Sequence, residues 1–384
     1  CMHHWVTMGS KGVQNSNMTY SLPTLEDIIK ARDSLRGTPI RKTPLQASET
    51  FSKLTGTKLF LKIESLQRTG SFKVRGAFVK LNTLSEEQCK YGVIAASAGN
   101  HAQGVAYAAS KKNISCTIVM PYNASPAKVA ATKSYGAKVV LRGSDYDECW
   151  AATQELALAE GRTIIHAFDD AQIISGQGTI GLELLEDLPN LDEVYLPIGG
   201  GGLAAGIAIA IKSKRPGVKI IGIESKAFPA MKESLDKGHL TTIKSGYTIA
   251  DGISVKAPGK LTFEIASRYV DDIVLVDDSS IVKTIFLLME RAKLVVEPAG
   301  AASLAYLLSN GNCGKDKSIV SILTGGNIDM YLLGQVVAKG LMQMGRILKI
   351  FVQLPDKPGA LRTVVEGIAD LSVNIVEVVH DRLS

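Results

Sequence analysis

Short apolar runs alternate with longer amphipathic stretches from about Leu22 through most of the chain. The short runs are rich in Val and Ile and have the length of strands, whereas the stretches between them have helical periodicity. Such runs are typical of parallel strands buried on both faces. The pattern predicts an α/β fold with parallel sheets flanked by helices. The clearest predicted strands are 58–64, 92–96, 115–120, 137–141, 163–167, 193–198, 218–224, 272–276 and 318–323.

The pattern also divides the chain. Residues 20–345 are predicted to form the main domain, in which a smaller lobe at about 70–165 is inserted in a larger one. A ligand cleft between the two lobes is expected. Beyond this domain, the pattern over 346–384 predicts a strand at 347–354, a helix at 360–371 and a strand at 373–379. One such unit is too small to cover both faces of its own sheet. Residues 1–19 are interpreted as a loose extension.

Composition excludes several classes of protein. The 43 Lys plus Arg against 37 Asp plus Glu give a net charge of only +6 with no basic run, which argues against a nucleic-acid partner. The five cysteines include no CxxC pair, which argues against a disulfide framework or zinc site and favours a reducing cytoplasm. No metal site is predicted. The sequence has no run of 18 apolar residues, so no membrane span is predicted either.

The sharpest local motif is SFKVRGAF at 71–78, where Lys73 follows a turn and opens an apolar helix. A lysine at such a place is usually an ordinary solvated helix residue. If it is buried among apolar neighbours, however, its pKa falls and the amine becomes a nucleophile toward an aldehyde. Lys73 is therefore a candidate anchor for a carbonyl cofactor.

A glycine run follows a predicted strand and precedes an Ala-rich helix: Gly199, Gly200, Gly201, Gly202 and then Leu203. Successive bare N–H groups at a helix start bind anions, so we predict a phosphate site here and consider a flexible linker the alternative. The GxGxxG match at 176–181 is a weak dinucleotide fingerprint, because no strand runs directly into it and no acid follows at the expected distance.

Two further loops follow predicted strands. The loop of Ser97, Ala98, Gly99, Asn100 and His101 opens a helix whose N–H groups suit a carboxylate, although a simple helix cap is an alternative. TGGN at 324–327 ends the last large-lobe strand, at the sheet edge where α/β folds bind ligands. Taken alone, TGGN is only a turn.

In combination, SFKVRGAF, SAGNHAQG, GGGGLAAG, EPAGAASLA and TGGN, in this order, closely resemble the threonine dehydratase and serine racemase family. Members of this family depend on pyridoxal 5'-phosphate (PLP) and have the two-lobed tryptophan-synthase-β-like fold, also called fold type II. The resemblance covers about 22–345. It implies L-threonine ammonia-lyase activity, in which L-threonine, or L-serine, loses water and then ammonia to give a 2-oxo acid.

The resemblance also implies roles for individual residues. Lys73 would hold the cofactor aldehyde as a Schiff base and later remove the substrate α-proton. The other cofactor contacts would be Phe72, Asn100 at the ring hydroxyl, Gly199, Gly200, Gly201, Gly202 and Leu203 at the phosphate, and Thr324 at the pyridine nitrogen. The substrate carboxylate site would comprise Ser97, Ala98, Gly99, Asn100 and His101.

Several alternatives remain within this family. Racemisation needs a second acid/base, which serine racemases supply from a serine at the position of Ala98, so the sequence favours dehydration. Cysteine synthases and cystathionine β-synthases share the fold but differ in the lysine motif. A non-catalytic amino-acid sensor is the alternative from outside enzymology, although the intact Lys73 and glycine run argue against it.

The tail motif DKPGAL at 356–361, together with Val373 to Ile375, resembles the first half of an ACT domain with a ferredoxin-like fold. A plain turn is the alternative. In this family, ACT domains bind effectors at a subunit interface, which implies allosteric control by an amino acid or a nucleotide. A homodimer or homotetramer is expected, as is a role in threonine catabolism or isoleucine biosynthesis.

Overall fold

The computed structural model describes residues 21–244, 246–311, 314 and 316–381. The chain separates into two compact units, Cys1–Gly340 and Leu341–Ser384. The predicted extension at 1–19 lies outside the described residues, as do Cys1 and Cys313. Cys89, Cys116 and Cys149 are free thiols.

Two parallel sheets form the first unit. The larger sheet has the order β1-β2-β10-β7-β8-β9, and only its β1–β2 pair is antiparallel; the smaller sheet has the order β5-β4-β3-β6 and is wholly parallel. The chain leaves the large sheet after β2 and returns to it at β7. The strands are β1 Leu45–Ala47, β2 Lys58–Ile63, β3 Val93–Ala96, β4 Cys116–Met120, β5 Lys138–Leu141, β6 Thr163–Ile164, β7 Glu193–Pro197, β8 Lys219–Ser225, β9 Asp272–Val276 and β10 Ser318–Leu323.

Helices flank these sheets, which confirms the predicted fold class and all nine strands. Sequence reasoning missed β1, which is a three-residue edge strand too short to show a period. The helices of the first unit are α1 Leu25–Ser34, α2 Glu49–Thr55, α3 Lys73–Asn82, α4 Glu86–Tyr91, α5 Asn100–Lys111, α6 Pro126–Ser134, α7 Tyr146–Glu160, α8 Ala171–Asp187, α9 Gly202–Lys214, α10 Ala230–Lys237, α11 Lys260–Tyr269, α12 Asp278–Leu287, α13 Pro298–Asn310 and α14 Met330–Gln343, the last of which extends into the second unit.

The core lies on both faces of the large sheet. Along β7, Tyr195 packs into the cluster that contains α12 and α13, whereas its neighbours Val194 and Leu196 pack into the cluster that contains α9. Successive strand residues point to opposite faces, so both faces must be apolar. This explains the continuous apolar runs in the sequence. No helix in the described ranges combines the length and apolarity needed to cross a membrane.

The GxGxxG match at 176–181 lies inside α8, which is buried along most of its length. A Cβ added at Gly176 would lie 2.6 Å from Cα of Gly76 in α3, and one added at Gly178 would lie 2.8 Å from the carbonyl oxygen of Gly206 in α9. These glycines therefore allow close approach of three helices. They do not form a phosphate-binding turn, which agrees with the weak prediction made for them.

In the second unit, α15 spans Ala360–Asp370 and agrees with the predicted helix. The strands predicted at 347–354 and 373–379 are wrong, because neither segment is in a strand. A β-strand exists through hydrogen bonds to a neighbouring strand. The described residues of this unit provide no such pairing.

Candidate active site

Lys73 is the first residue of α3 and directly follows a turn. The turn contains Thr69 and Gly70 with φ of 59° and 73°, in the left-handed region that favours glycine. The Lys73 Nζ donates to the carbonyl oxygen of Ala167 at 2.9 Å. Burial lowers the pKa of the Lys73 amine to about 8, and the nearby Glu297 carboxyl opposes this shift only in part. A substantial share of the amine is therefore neutral at physiological pH.

The turn before Lys73 is hydrogen-bonded to the loop that follows β10. The Phe72 N–H donates to the Thr324 carbonyl oxygen at 3.1 Å, and the Gly326 N–H donates to the Gly70 carbonyl oxygen at 2.9 Å. Two motifs about 250 residues apart thus form one platform.

The glycine loop joins β7 to α9, and each glycine meets a different neighbour. A Cβ at Gly200 would lie 2.3 Å from the ring of Phe168, and one at Gly202 would lie 3.0 Å from the same residue. Gly201 has φ of 94°, which favours glycine. No side chain caps the start of α9, so its first-turn N–H groups are available to an anion.

The loop at 97–101 joins β3 to α5, and no side chain caps this helix either. The Ser97 hydroxyl instead accepts a hydrogen bond from the Gly99 N–H at 3.1 Å, which folds the loop on itself. His101 is buried, with Nε2 at 2.9 Å from the Ile165 carbonyl oxygen. Burial and the neighbouring Lys73 amine lower the pKa of His101 to about 3, so its ring is neutral at physiological pH.

Glu297 and Asn327 complete the site, and the sequence analysis assigned neither a role. Asn100 Nδ2 donates to Glu297 Oε1 at 2.6 Å, and Asn327 Nδ2 donates to Asn100 Oδ1 at 2.7 Å. Burial raises the pKa of the Glu297 carboxyl to about 7. Glu297 begins the motif EPAGAASLA and Asn327 ends the motif TGGN, so these two motifs are the sequence features that could have identified them.

These elements enclose a cavity of about 670 Å³, a volume typical of cofactor and small-molecule sites. It lies at the carboxyl ends of β3, β7 and β10, where α/β sheets bind ligands. Within the described residues, no group of three His, Cys, Asp or Glu side chains is arranged to hold a metal ion. Every residue predicted for the site lines the cavity: Phe72, Lys73, Ser97, Ala98, Gly99, Asn100, His101, Gly199, Gly200, Gly201, Gly202, Leu203 and Thr324.

Comparisons with known proteins agree with this geometry. The model of the family described as "Pyridoxal-phosphate dependent enzyme" matches residues 37–325. An L-threonine ammonia-lyase from Thermotoga maritima is 44% identical over 94% of this chain and 89% of its own length. The catabolic L-threonine dehydratase TdcB of Escherichia coli K12 is 46% identical over 83% of this chain and 98% of its own.

Solved structures extend the likeness to three dimensions. A maize serine racemase superposes with a TM-score of 0.79 at 34% identity, covering 85% of this chain and 100% of its own. The processed threonine deaminase isoform 2 of Solanum lycopersicum has a TM-score of 0.76 at 35% identity, covering 82% of this chain and 93% of its own. With the family model matching most of its length, this chain belongs to the pyridoxal-phosphate dependent enzyme family.

Proposed function

We propose that this chain is an L-threonine ammonia-lyase, which removes water and then ammonia from L-threonine to give 2-oxobutanoate and converts L-serine to pyruvate in the same way. Relatives of that activity match most of the chain at 44–46% identity. The observation that carries the proposal is the partly buried Lys73 amine, which shares one cavity with two uncapped helix starts.

The residues present fit PLP. The loop at 199–202 lines the cavity and leads into the uncapped start of α9, whose free N–H groups suit the phosphate of PLP. Glycine is also required at 200 and 202 by packing, because a Cβ there would collide with Phe168 or displace it. Thr324 and Asn100 line the same cavity and supply polar atoms for the pyridine nitrogen and the ring hydroxyl. When bound, PLP supplies an electron sink that stabilises negative charge at the substrate α-carbon.

The chain's own residues would divide the remaining tasks. The Lys73 amine, with its pKa lowered to about 8, anchors the cofactor and takes the substrate α-proton once it is free. The N–H groups at the start of α5 bind the substrate carboxylate, beside Ser97 and Asn100. His101, the last residue of this loop, has a neutral ring and adds no charge to it.

Serine racemisation is the second candidate, because a serine racemase is among the structural neighbours. Racemisation requires a proton donor on the face of the substrate opposite Lys73. Ala98 occupies the position where serine racemases carry a serine, and its methyl group has no proton to give. This residue favours elimination over racemisation.

We also propose that 20–345 is the catalytic domain, with its smaller lobe at about 70–165, and that 346–384 is the first half of an ACT-type regulatory domain that takes an amino-acid or nucleotide effector. Supporting this, no residue of α15 is buried, and the apolar Leu348, Phe351 and Val376 are exposed. Exposed apolar surfaces of this kind are typical of interaction sites. A cytoplasmic dimer or tetramer fits this reading and the free thiols.

The test is a direct assay of 2-oxobutanoate and ammonia with L-threonine, and of pyruvate and D-serine with L-serine. In Lys73→Ala we expect activity to fall by more than about 10⁴-fold and the visible absorbance of the bound cofactor to disappear. The matched control is Lys80→Ala, at the other end of the same helix, where the lysine pairs with Asp170. This variant should keep both properties.

Each outcome of the assay has a definite meaning. A wild-type protein that binds PLP but makes no oxo acid from either substrate would contradict the proposal and indicate a different substrate or a sensor. Formation of D-serine faster than pyruvate would instead establish the racemase.

A further inference from the structure

A chain of hydrogen bonds runs along the wall of the cavity from Glu297 to the turn that precedes Lys73. The Asn100 amide nitrogen donates to Glu297 Oε1 at 2.6 Å, and the Asn100 amide oxygen accepts from Asn327 Nδ2 at 2.7 Å. Asn327 Nδ2 also donates to the Thr69 carbonyl oxygen at 2.7 Å. Both ends of the Asn100 amide are thus engaged by protein groups.

This pairing determines which way the Asn100 amide faces. A carboxylate only accepts hydrogen bonds, so the end of the amide that meets Glu297 must be the NH₂ group. The Asn327 NH₂ group likewise requires the oxygen of Asn100 opposite it. Because an amide nitrogen carries two hydrogens and Glu297 takes one, the second remains for a ligand in the cavity. A ligand atom that reaches this nitrogen therefore meets a hydrogen-bond donor.

The backbone holds Glu297 in place independently of Asn100. Glu297 immediately precedes α13, and its own N–H donates to the Gly325 carbonyl oxygen at 2.9 Å. A Cβ at Gly325 would lie 2.4 Å from Glu297 Oε1, so the bare backbone at this glycine lets the carboxylate pack directly on the loop. The carboxylate thus has a fixed position.

The charges around Glu297 come from several elements. Asp251, in the 3₁₀ turn Asp251–Ile253, disfavours its ionised form, whereas Lys128 of α6 and the Asn327 backbone N–H favour it. Lys73 of α3 interacts with it across the cavity. Desolvation outweighs the favourable partners and raises the pKa of the carboxyl to about 7. Glu297 therefore changes its charge close to neutral pH.

We propose that Glu297 is a positioning residue whose carboxylate holds the Asn100 amide as a donor toward the ring oxygen of the cofactor. The inference rests on the PLP site of the proposed function, although it does not depend on which amino acid is the substrate. Asn327 fixes the orientation of the Asn100 amide at either charge state of Glu297. Protonated Glu297, however, accepts a weaker hydrogen bond from the Asn100 NH₂ group than the carboxylate does. The electronic state of the bound cofactor should therefore respond to this one carboxyl group.

The experiment is a pH titration of the absorption spectrum of the PLP-loaded protein without substrate. The ratio of the visible to the near-ultraviolet band reports whether the cofactor's ring oxygen is ionised. In wild type we expect a transition between about pH 6 and pH 8, centred near the pKa of Glu297. In Glu297→Gln this transition should be absent, and PLP should dissociate about tenfold more readily, because a charge-assisted hydrogen bond is weakened.

Glu224→Gln is the matched control. Burial raises the pKa of Glu224 to about 7 as well, but its carboxylate accepts from the Met231 and Lys232 backbone N–H groups at 2.8 and 2.9 Å. Glu224 does not line the cavity, so this variant should keep the transition. If Glu224→Gln loses the transition as Glu297→Gln does, the effect is one of general stability and the proposal is overturned.

Two further outcomes decide the matter. If Glu297→Gln titrates like wild type, the proposal is wrong, and Glu297 only supports the loop. If that variant does not fold, the wild-type titration still serves as a test, because the absence of any transition near neutral pH overturns the idea. Since no substrate is added, a protein that binds PLP but does not deaminate threonine gives the same readings. Failure of the proposed activity is thereby distinguished from failure of this inference.

Discussion

Lys73 and Arg75 lie two residues apart on α3, the first partly buried and the second fully buried, and their surroundings differ completely. Two residues along a helix correspond to about 200°, so the two side chains leave opposite faces. Lys73 has a backbone carbonyl as its hydrogen-bond acceptor. The Arg75 guanidinium instead donates to both oxygens of Glu64 and both oxygens of Glu183, and Lys62 Nζ also donates to Glu183 at 2.6 Å.

The pKa values follow these partners. The two carboxylates around Arg75 raise the pKa of its guanidinium, whereas burial without a paired anion lowers the pKa of Lys73 to about 8. Burial alone therefore does not make a residue reactive. A buried charge with full compensation remains ionised and structural, and one without it moves toward the neutral form that acid–base chemistry uses.

Breaking the Arg75 network should have the largest effect on stability. Arg75→Leu leaves the buried carboxylates of Glu64 and Glu183 with Lys62 as the one remaining cation of this network. We therefore expect a loss of about 3–5 kcal/mol in the free energy of unfolding. Urea unfolding of the cofactor-free protein measures it. The control is Arg142→Leu, which removes an exposed pair with Glu155 and should cost less than about 1 kcal/mol. Equal losses in the two variants would show that the network does not behave as a buried cluster.

Removing the charge of Lys73 should instead increase the free energy of unfolding. Because the folded-state pKa of Lys73 lies below its ordinary 10.5, the charged amine opposes folding most strongly below about pH 8, and this cost fades as pH rises through 10.5. Lys73→Met should therefore stabilise the cofactor-free protein at pH 7 by up to about 3 kcal/mol, at about 1.4 kcal/mol per pKa unit.

This gain should shrink as pH rises above about 8 and approach zero only above pH 10.5. The measurement is urea unfolding of both proteins at pH 7 and at the highest pH at which wild type folds. A variant less stable than wild type at pH 7 would mean that packing of the lysine stem outweighs its charge.

The smallest change tests the missing proton donor. Ala98→Ser places a hydroxyl in the cavity, and we expect slow formation of D-serine from L-serine while pyruvate formation falls by less than about tenfold. General acid–base groups contribute about 10²–10⁴-fold, so even an imperfectly placed hydroxyl should be measurable. Chiral chromatography of the products measures the ratio. Failure to detect any D-serine would mean that a hydroxyl at this position is not sufficient.

Much of the fold and the location of the site were accessible from the sequence. Buried parallel strands reveal themselves as continuous apolar runs, and loops that follow such strands gather at one sheet edge. For this reason the glycine run, the loop at 97–101 and Thr324 could be placed together in advance, whereas Lys73 was joined to them through the family resemblance. The PLP-dependent family was also identified correctly from its motifs.

The remaining features depend on tertiary contacts. Arginine is seldom fully buried, so nothing local indicated that Arg75 meets Glu183, 108 residues away. Glu297 precedes a proline at a helix start, where an acidic residue is ordinary, and its link to Asn100 spans 197 residues. The tail strands were wrong because periodicity indicates which segments are able to pair, but not whether a partner strand is present.

The contacts between glycines of α3, α8 and α9 bear on the size of ligand that the enzyme accepts. Lys73 lies at the start of α3 and the glycine loop, the proposed phosphate site, at the start of α9, and α8 packs against both helices through Gly176 and Gly178. Backbones in such close contact leave little room for the helices to slide past each other. The distance from the Lys73 amine to the proposed phosphate site is thereby set before any ligand arrives, and we expect a cofactor with a longer or shorter span between its aldehyde and its phosphate to bind more weakly.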